Sequence, residues 1–114
     1  MDKQSRREAL RQYKEQTPSV GAFAVRCGAS GEVWVGVSKN LEQQKNPIWF
    51  GLRLGTYPNK ALVAAWKAHG EAAMDFEVLE VLKTQDLSPL AVDLMLKDAH
   101  QRWRDALKAP RVVG

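Results

Sequence analysis

The stretch GAFAVRCGASGEVWVG, residues 21–36, decides the fold of this chain. Its two halves belong to apolar and aromatic runs, residues 20–26 and 33–37, whose composition is typical of β-strands. Between them, residues 28–31 contain two glycines and can form a short turn. These residues therefore predict a β-hairpin.

The residues before the hairpin predict a lead-in helix. Within residues 3–15, Ala9, Leu10 and Tyr13 stand at helical spacing among charged residues. Pro18 then ends the helix, because proline removes a backbone donor and crowds the preceding turn. We assign residues 1–17 to an N-terminal helical extension, 18–109 to a single domain and 110–114 to a tail.

The residues after the hairpin predict a helix that is interrupted and restarted. Asn40 and Gln43 have the spacing of a capping box, which places a helix start at Asn40. Pro47 would break that helix at a cost of about 3 kcal/mol. Asn46 and Pro47 are therefore expected to begin a new helix, which runs to Gly55.

The second half of the chain predicts a helix, a strand and a long helix. Asn59 and Gly70 suit the two ends of the first of these helices. The run FEVLEVL, residues 76–82, predicts a strand that buries mainly Phe76 and Val78, with smaller contributions from Val81 and Leu82. Ser88 and Pro89 begin the last helix, along which apolar residues recur at Leu90, Leu94, Ala99, Trp103 and Leu107. The elements together predict an α+β fold.

Length and composition limit the class of protein. A chain of 114 residues, 45% hydrophobic and 26% charged, is expected to form one folded domain. The charged N-terminus lacks the apolar core of a secretory signal, so we expect a cytoplasmic protein. Cys27 is the single cysteine, which excludes an internal disulfide and a thiolate zinc cluster, and it is expected to be a core residue.

The chain carries a basic excess in its first half. The net charge is +4, and residues 1–60 hold ten Lys and Arg against five Asp and Glu, whereas residues 61–114 hold seven against eight. A bias of this size is compatible with nucleic-acid binding and does not by itself demonstrate it.

The hairpin resembles the paired signature of the GIY-YIG nuclease superfamily. GAF at 21–23 and WVG at 34–36 carry the resemblance, and SKNL at 38–41, AWKAHG at 65–70 and the strand 76–82 follow in the family's order. The resemblance covers about residues 20–107 and is closest to small stand-alone bacterial proteins. It implies a small three-stranded antiparallel sheet flanked by helices.

In active relatives, the resemblance implies phosphodiester hydrolysis with one divalent metal, Mg²⁺ or Mn²⁺. A glutamate on the last helix holds the metal, and two motif tyrosines, an arginine and a nearby histidine or tyrosine assist. These residue types suit the reaction, because a hard cation needs carboxylate oxygens and arginine matches the charge and geometry of phosphate. This chain departs from the pattern at most of these positions.

The motif tyrosines fall on Phe23 and Trp34, which keep an aromatic ring and lose the phenolic hydroxyl. Both residues also suit buried strand positions, so a core role and a site role stay open. The family's arginine falls on Gln44, which is neutral and lacks the guanidinium donors. Lys39 and Lys45 are near enough in sequence to substitute as point charges.

Two further positions concern proton transfer and metal binding. Tyr57 stands where some relatives carry a general-base histidine, and it is otherwise a surface residue of a turn. The metal-binding glutamate falls on His100 when Trp103 is aligned with the family's aromatic residue. Imidazole is a poor ligand for Mg²⁺ but binds Mn²⁺ or Zn²⁺. Asp98 is the nearest carboxylate, although helical geometry turns it about 200° away from His100.

Three functions follow from these substitutions. The leading hypothesis is a catalytically degenerate GIY-YIG-like domain that serves as a nucleic-acid-binding or regulatory module, with DNA favoured over RNA. Trp49 is then either a stacking group or a core residue. The candidates for phosphate contact are Lys39, Lys45, Arg53 and Lys60.

The second hypothesis is an active DNA endonuclease that uses Mn²⁺ or Mg²⁺ with His100 or Asp98 as ligands and Tyr57 as the activating group. The third is a protein-interaction module that docks a partner through Leu10 and Tyr13 or through exposed tryptophans.

Overall fold

The structure is a computed structural model that describes residues 18–112. Within that range, three strands form one antiparallel sheet: β1 (Val20–Cys27), β2 (Val33–Ser38) and β3 (Met74–Leu82), in the order β2-β1-β3. Three α-helices accompany the sheet: α1 (Lys45–Leu54), α2 (Lys60–His69) and α3 (Pro89–Leu107). The predicted α+β class and three-stranded sheet are confirmed. The lead-in helix predicted for residues 3–15 lies outside the described residues.

The sheet is covered on both faces. Phe23, Val25 and Cys27 alternate along β1 and share a buried cluster with Trp34 and the apolar sides of α1 and α2. The helix α3 packs against β1 and β2. Because Ala22 and Ala24 alternate with the residues of the cluster, they face α3, and both are completely buried. Cys27 is a core residue, as the sequence predicted.

Two glycines of the quoted stretch allow close contacts within the sheet. Phe23 lies opposite Gly36, and a Cβ atom at Gly36 would lie 2.5 Å from Cζ of the Phe23 ring. A Cβ atom at Gly21 would collide with the backbone of Glu80 on β3. The neighbouring strand and the aromatic ring thus occupy the space of the missing side chains, which explains why both positions are glycine.

The segment between β2 and α1 differs from the capping pattern that the sequence predicted. Residues 41–43 form one turn of 3₁₀ helix, and the side chain of Asn40 makes no capping hydrogen bond. The helix α1 begins at Lys45 rather than at Pro47, and Asn46 is not its cap. Pro47 fits within the first turn because backbone donors there have no acceptor in the helix. The predicted end at Gly55 is confirmed by its left-handed conformation, φ 74°.

The apolar pattern overstated burial in β3 and α3. Val78 and Val81 are 46% and 58% exposed, and Leu90 and Leu94 are 68% and 59% exposed. The prediction that Val78 is a principal buried residue of β3 is therefore wrong. In α3, the buried apolar residues are Leu96 and Ala99, which lie near the middle of the helix, and the helix packs against β1 and β2. None of the three helices of the described region has the length and apolar character needed to cross a bilayer.

The segment after α3, which we assigned to a tail, runs along the outer edge of β2. Val35 donates its N–H to Pro110 O at 2.9 Å and accepts from Val112 N–H at 2.9 Å. Asn59 holds this segment from the other side, because its Nδ2 donates to the carbonyls of Arg111 and Val112 at 2.9 Å each. Val112 is completely buried. Residues 110–112 therefore belong to the folded domain.

Replacement of Gly36 by alanine is expected to destabilise the protein by about 1–3 kcal/mol, because the new methyl group must displace the buried Phe23 ring. The measurement is the free energy of unfolding in urea. Gly28→Ala is the matched control, since a Cβ atom there would meet its nearest neighbour at an ordinary 3.6 Å. If the two variants are equally stable, the Phe23 ring is not what requires glycine at position 36.

Replacement of Asn59 by alanine is expected to destabilise the protein by about 2–4 kcal/mol. Asn59 caps α2 by accepting from Leu62 N–H at 3.1 Å, and it also satisfies two carbonyls of the C-terminal segment. Ser88→Ala is the control, because Ser88 caps α3 through Ala91 N–H and does no more. We expect it to lower the unfolding free energy by about 1 kcal/mol. If both variants lose the same unfolding free energy, the hydrogen bonds from Asn59 to residues 111–112 contribute nothing to stability.

Candidate functional site

The two aromatic residues at the motif tyrosine positions are core residues. Phe23 is 2% exposed and stacks on Phe76, with ring centroids 4.9 Å apart. Trp34 is 1% exposed and lies opposite Val25. Neither side chain has a hydroxyl that could donate to a phosphate oxygen or relay a proton. Both side chains therefore contribute apolar packing to the core and no phenolic group.

Gln44, at the family's arginine position, takes part in a local hydrogen-bond network. Ser38 Oγ donates to Gln44 Oε1 at 2.8 Å and accepts from Asn40 N–H at 2.9 Å. Ser38 is buried, so these bonds satisfy its hydroxyl and fix the connection from β2 to α1. A neutral amide in this position supplies no positive charge for an anionic transition state.

Tyr57 packs beneath α1. Its ring lies within 3.1 Å of the place where a Cβ atom of Gly51 would be. Burial raises the pKa of the Tyr57 hydroxyl above its ordinary value. The hydroxyl is therefore protonated at neutral pH, which is the wrong state for a general base.

The four basic residues predicted to contact phosphate have different surroundings. Lys39 forms an ion pair with Asp93 on α3 at 2.7 Å, and Arg53 forms one with Glu71 at 2.9 Å. Lys45 Nζ lies 5.3 Å from the centre of the Trp49 ring. Lys60 is the exposed first residue of α2. All four are exposed, so their charges are accessible to a partner.

Two of these cations border the same surface cavity on α1. It has a volume of about 510 Å³ and is lined in part by Lys45, Trp49, Phe50, Arg53 and Glu71. Phe50 is exposed there, whereas Trp49 is buried against Trp66 and Phe76. The alternative that Trp49 is a stacking group is therefore wrong, and Phe50 is the aromatic side chain that α1 presents to solvent. Trp34, Trp49 and Trp66 are all buried, which also removes them as docking residues.

His100, at the family's metal position, is bonded to the edge of the sheet. Its Nε2 lies 3.0 Å from Val35 O, the same carbonyl that accepts from Val112 N–H. A carbonyl oxygen only accepts, so Nε2 carries a proton and donates. A protonated ring nitrogen has no lone pair for a metal. Nε2 of His100 therefore acts as a hydrogen-bond donor to the sheet edge and not as a metal ligand.

Two arginines lie beside His100. Arg104 follows it by one turn on α3, and Arg111 lies opposite Val35 in the pairing of the C-terminal segment with β2. Burial lowers the pKa of His100 below its ordinary value, and electrostatic repulsion from Arg104 and Arg111 lowers it further, against the opposing effect of the bond to Val35 O. The imidazole is thus predominantly neutral at pH 7.

This residue set does not suit a divalent cation. Asp98, the predicted alternative ligand, accepts from Arg102 Nε at 2.8 Å on another side of α3. Glu80 accepts from Arg102 and from Trp103 Nε1, the latter at 2.9 Å. Nowhere in residues 18–112 do three His, Cys, Asp or Glu side chains form a group that could hold a metal ion. Two arginines beside His100 would also repel a cation.

Only some of the site residues that were predicted from the sequence lie together in the fold. Phe23 and Trp34 join one core, and Lys45 and Arg53 join one cavity, but His100 and Asp98 do not form a common site. Sequence reasoning missed Arg104 and Arg111. The i, i+4 spacing of His100 and Arg104 was a signal for Arg104. Arg111 could not be found in this way, because its position depends on the pairing of residues 110–112 with β2.

The histidine produces a testable pH dependence. An unfolded chain protonates histidine at about pH 6.5. Because the pKa of His100 is lower in the folded state, the unfolded state binds more protons below that pH, and stability falls as the pH drops from 7.5 towards 5. His100→Gln keeps a donor for Val35 O without titrating, so we expect a smaller loss of unfolding free energy over this range. His69→Gln, at the exposed end of α2, is the control. If the unfolding free energy falls with pH in parallel for the unmodified protein and both variants, the prediction is wrong.

Comparison with known proteins locates this arrangement within a known fold. No protein-family model and no curated protein sequence matches the chain. Among solved structures, a glutamate-to-alanine mutant of the catalytic domain of intron endonuclease I-TevI is similar, with a TM-score of 0.68, 16% identity and coverage of 84% of this chain and 99% of that domain. The catalytic domain of homing endonuclease I-TevI matches with a TM-score of 0.67, 17% identity and coverage of 83% and 99%. The chain therefore has the GIY-YIG-like fold that its paired motifs predicted.

Proposed function

We propose that this chain is a nucleic-acid-binding domain on a GIY-YIG-like nuclease fold, with DNA as its partner and with the catalytic positions converted to structural ones. The observation that carries the proposal is the environment of His100. A neutral imidazole is bonded to Val35 O and flanked by two arginines, at the position where the family resemblance implies a metal-binding carboxylate. This environment disfavours a cation and favours an anion.

Three other positions support the loss of catalysis independently. Phe23 and Trp34 contribute their rings to the core, and Gln44 is bonded to Ser38. Each of these three substitutions removes a donor or a charge that phosphodiester hydrolysis would use in the transition state. Because they lie on three different elements, no single neighbouring residue can compensate for all of them.

The choice of DNA rests on the similar structures and on the basic surface. Both similar structures are catalytic domains of an endonuclease. In this chain, Lys45 and Arg53 lie on α1, Lys39 follows β2 and Lys60 begins α2, and all four are exposed. Lys39 and Arg53 hold their charges in surface ion pairs, which contribute little in water and exchange readily for phosphate.

The competing function is metal-dependent DNA cleavage, and it is tested with the same protein. We expect no nicking of supercoiled plasmid in Mg²⁺, in Mn²⁺ or in EDTA. Metal-dependent nicking that His100→Ala and Tyr57→Phe abolish would overturn the proposal in favour of an active endonuclease.

For binding, we expect an affinity for duplex DNA that falls steeply with salt. Lys39→Ala combined with Lys45→Ala should reduce the magnitude of the slope of log K against log salt by about 2. Each phosphate contact that is lost reduces by about one the number of counterions that binding releases. Fluorescence anisotropy of a labelled duplex, titrated at NaCl concentrations from about 50 to about 200 mM, measures this slope.

The matched control is Lys83→Ala combined with Lys97→Ala, which removes the same charge from exposed positions at the end of β3 and on α3. We expect this control to bind nearly as well as the unmodified protein. If both double variants lose the same affinity, binding depends on net charge alone. The assignment of Lys39 and Lys45 as phosphate contacts is then wrong. If the unmodified protein shows no salt-dependent affinity for DNA, the proposed function itself fails.

A further inference from the structure

We infer that Arg104 and Arg111, beside His100 at the outer edge of β2, form a binding site for a phosphate group, which we call the edge arginine site. The inference deepens the proposed function and rests on it for the identity of the ligand, a backbone phosphate of DNA. It places a direct contact between arginine and the anion at the position where the family resemblance implies a metal-binding carboxylate.

The fold brings the three side chains of the edge arginine site together from separate parts of the chain. His100 and Arg104 lie one turn apart on α3, so their side chains leave the helix on the same side. The bond from His100 Nε2 to Val35 O holds this side of α3 against β2. Val35 is also the residue that pairs with Arg111, through Val35 N–H to Pro110 O and Val112 N–H to Val35 O. One residue of β2 thus positions both arginines.

Arg104 carries an unmet hydrogen-bonding group. Its Nε is buried and donates to no acceptor among residues 18–112. A buried donor without a partner is rare in folded proteins and costs about 1–3 kcal/mol, and such donors are commonly satisfied by a bound ion or a water molecule. The rest of the Arg104 residue is partly exposed, so a small rotation of the side chain would let an anionic oxygen satisfy this donor and offset the cost.

Within the described part of the chain, no carboxylate forms an ion pair with either arginine of the site. Within residues 18–112, the ion pairs of α3 involve Arg102 with Asp98 and Glu80, and Asp93 with Lys39, and neither Arg104 nor Arg111 takes part in one. The remaining acidic residue near the end of α3, Asp105, accepts from Gln101 at 2.9 Å. The carboxylates of this helix are therefore engaged away from the edge arginine site.

The chemistry selects a phosphate rather than a metal or an apolar ligand. Guanidinium groups bind phosphate oxygens through paired N–H donors and keep their charge at any physiological pH. Two guanidinium groups beside a neutral imidazole provide donors and positive charge, with no free carboxylate to compete. DNA supplies the phosphate as a diester, and a nucleotide or inorganic phosphate supplies the same oxygen chemistry in free form.

The test compares three arginines of the same segment. Arg104→Gln and Arg111→Gln should each weaken binding of a labelled DNA duplex at least about tenfold at low salt and lower the salt slope by about 1. Arg102→Gln removes the same charge from an arginine on another side of α3, where it contacts Asp98 and Glu80, and we expect nearly unchanged binding. Arg111 is exposed, so its variant keeps the test valid if Arg104→Gln fails to fold.

A second measurement uses inorganic phosphate and does not depend on DNA. In ¹H–¹⁵N spectra of the unmodified protein, phosphate should shift the Nε–Hε signal of Arg104, and sodium chloride at equal ionic strength should not. If phosphate shifts this signal while DNA does not bind, the site stands as one for free phosphate compounds and the proposed function fails. If DNA binds but Arg104→Gln and Arg111→Gln behave like Arg102→Gln, the proposed function survives and the edge arginine site is overturned.

Discussion

The backbone of Val35 joins the sheet, the helix α3 and the C-terminal segment. Its N–H and C=O lie on the outer edge of β2, where an unpaired strand would expose both groups to other chains. The N–H is bonded to Pro110 O, and the carbonyl accepts from Val112 N–H and from His100 Nε2. The sheet, the helix α3 and the C-terminal segment are thus held at one residue, and the side chains around it take their positions from these bonds.

The opposite face of the same hairpin depends on an aromatic ring packed over glycine. Phe23 covers the backbone at Gly36 and stacks on Phe76, which in turn contacts Trp49 on α1. A phenolic hydroxyl on this ring would need a hydrogen-bond partner wherever it reached a buried region. Phenylalanine avoids that requirement and contributes its whole ring to the core.

The parts of the structure that could be predicted from the sequence are those set by local interactions. The hairpin follows from alternating apolar residues around a glycine turn, and Asn59 and Ser88 cap helices through bonds to residues three positions away. The exposure of Leu90 and Leu94 could not be predicted, because helical spacing shows that residues share a face but not whether the sheet extends far enough to cover it. The role of Val35 was equally hidden, since backbone groups leave no mark in the sequence.

The surroundings of position 100 would not hold a metal ion even if His100 were replaced by glutamate. A glutamate at position 100 could not donate to Val35 O, and its carboxylate would face that carbonyl as a second acceptor. The same carboxylate would lie beside Arg104 and Arg111, whose guanidinium groups would pair with it in place of a metal. Recovery of a metal site would therefore require a new partner for the sheet edge and the removal of both arginines. One arrangement therefore joins the side chain of His100, the two arginines and the pairing of residues 110–112, and a change in one part would disturb the others.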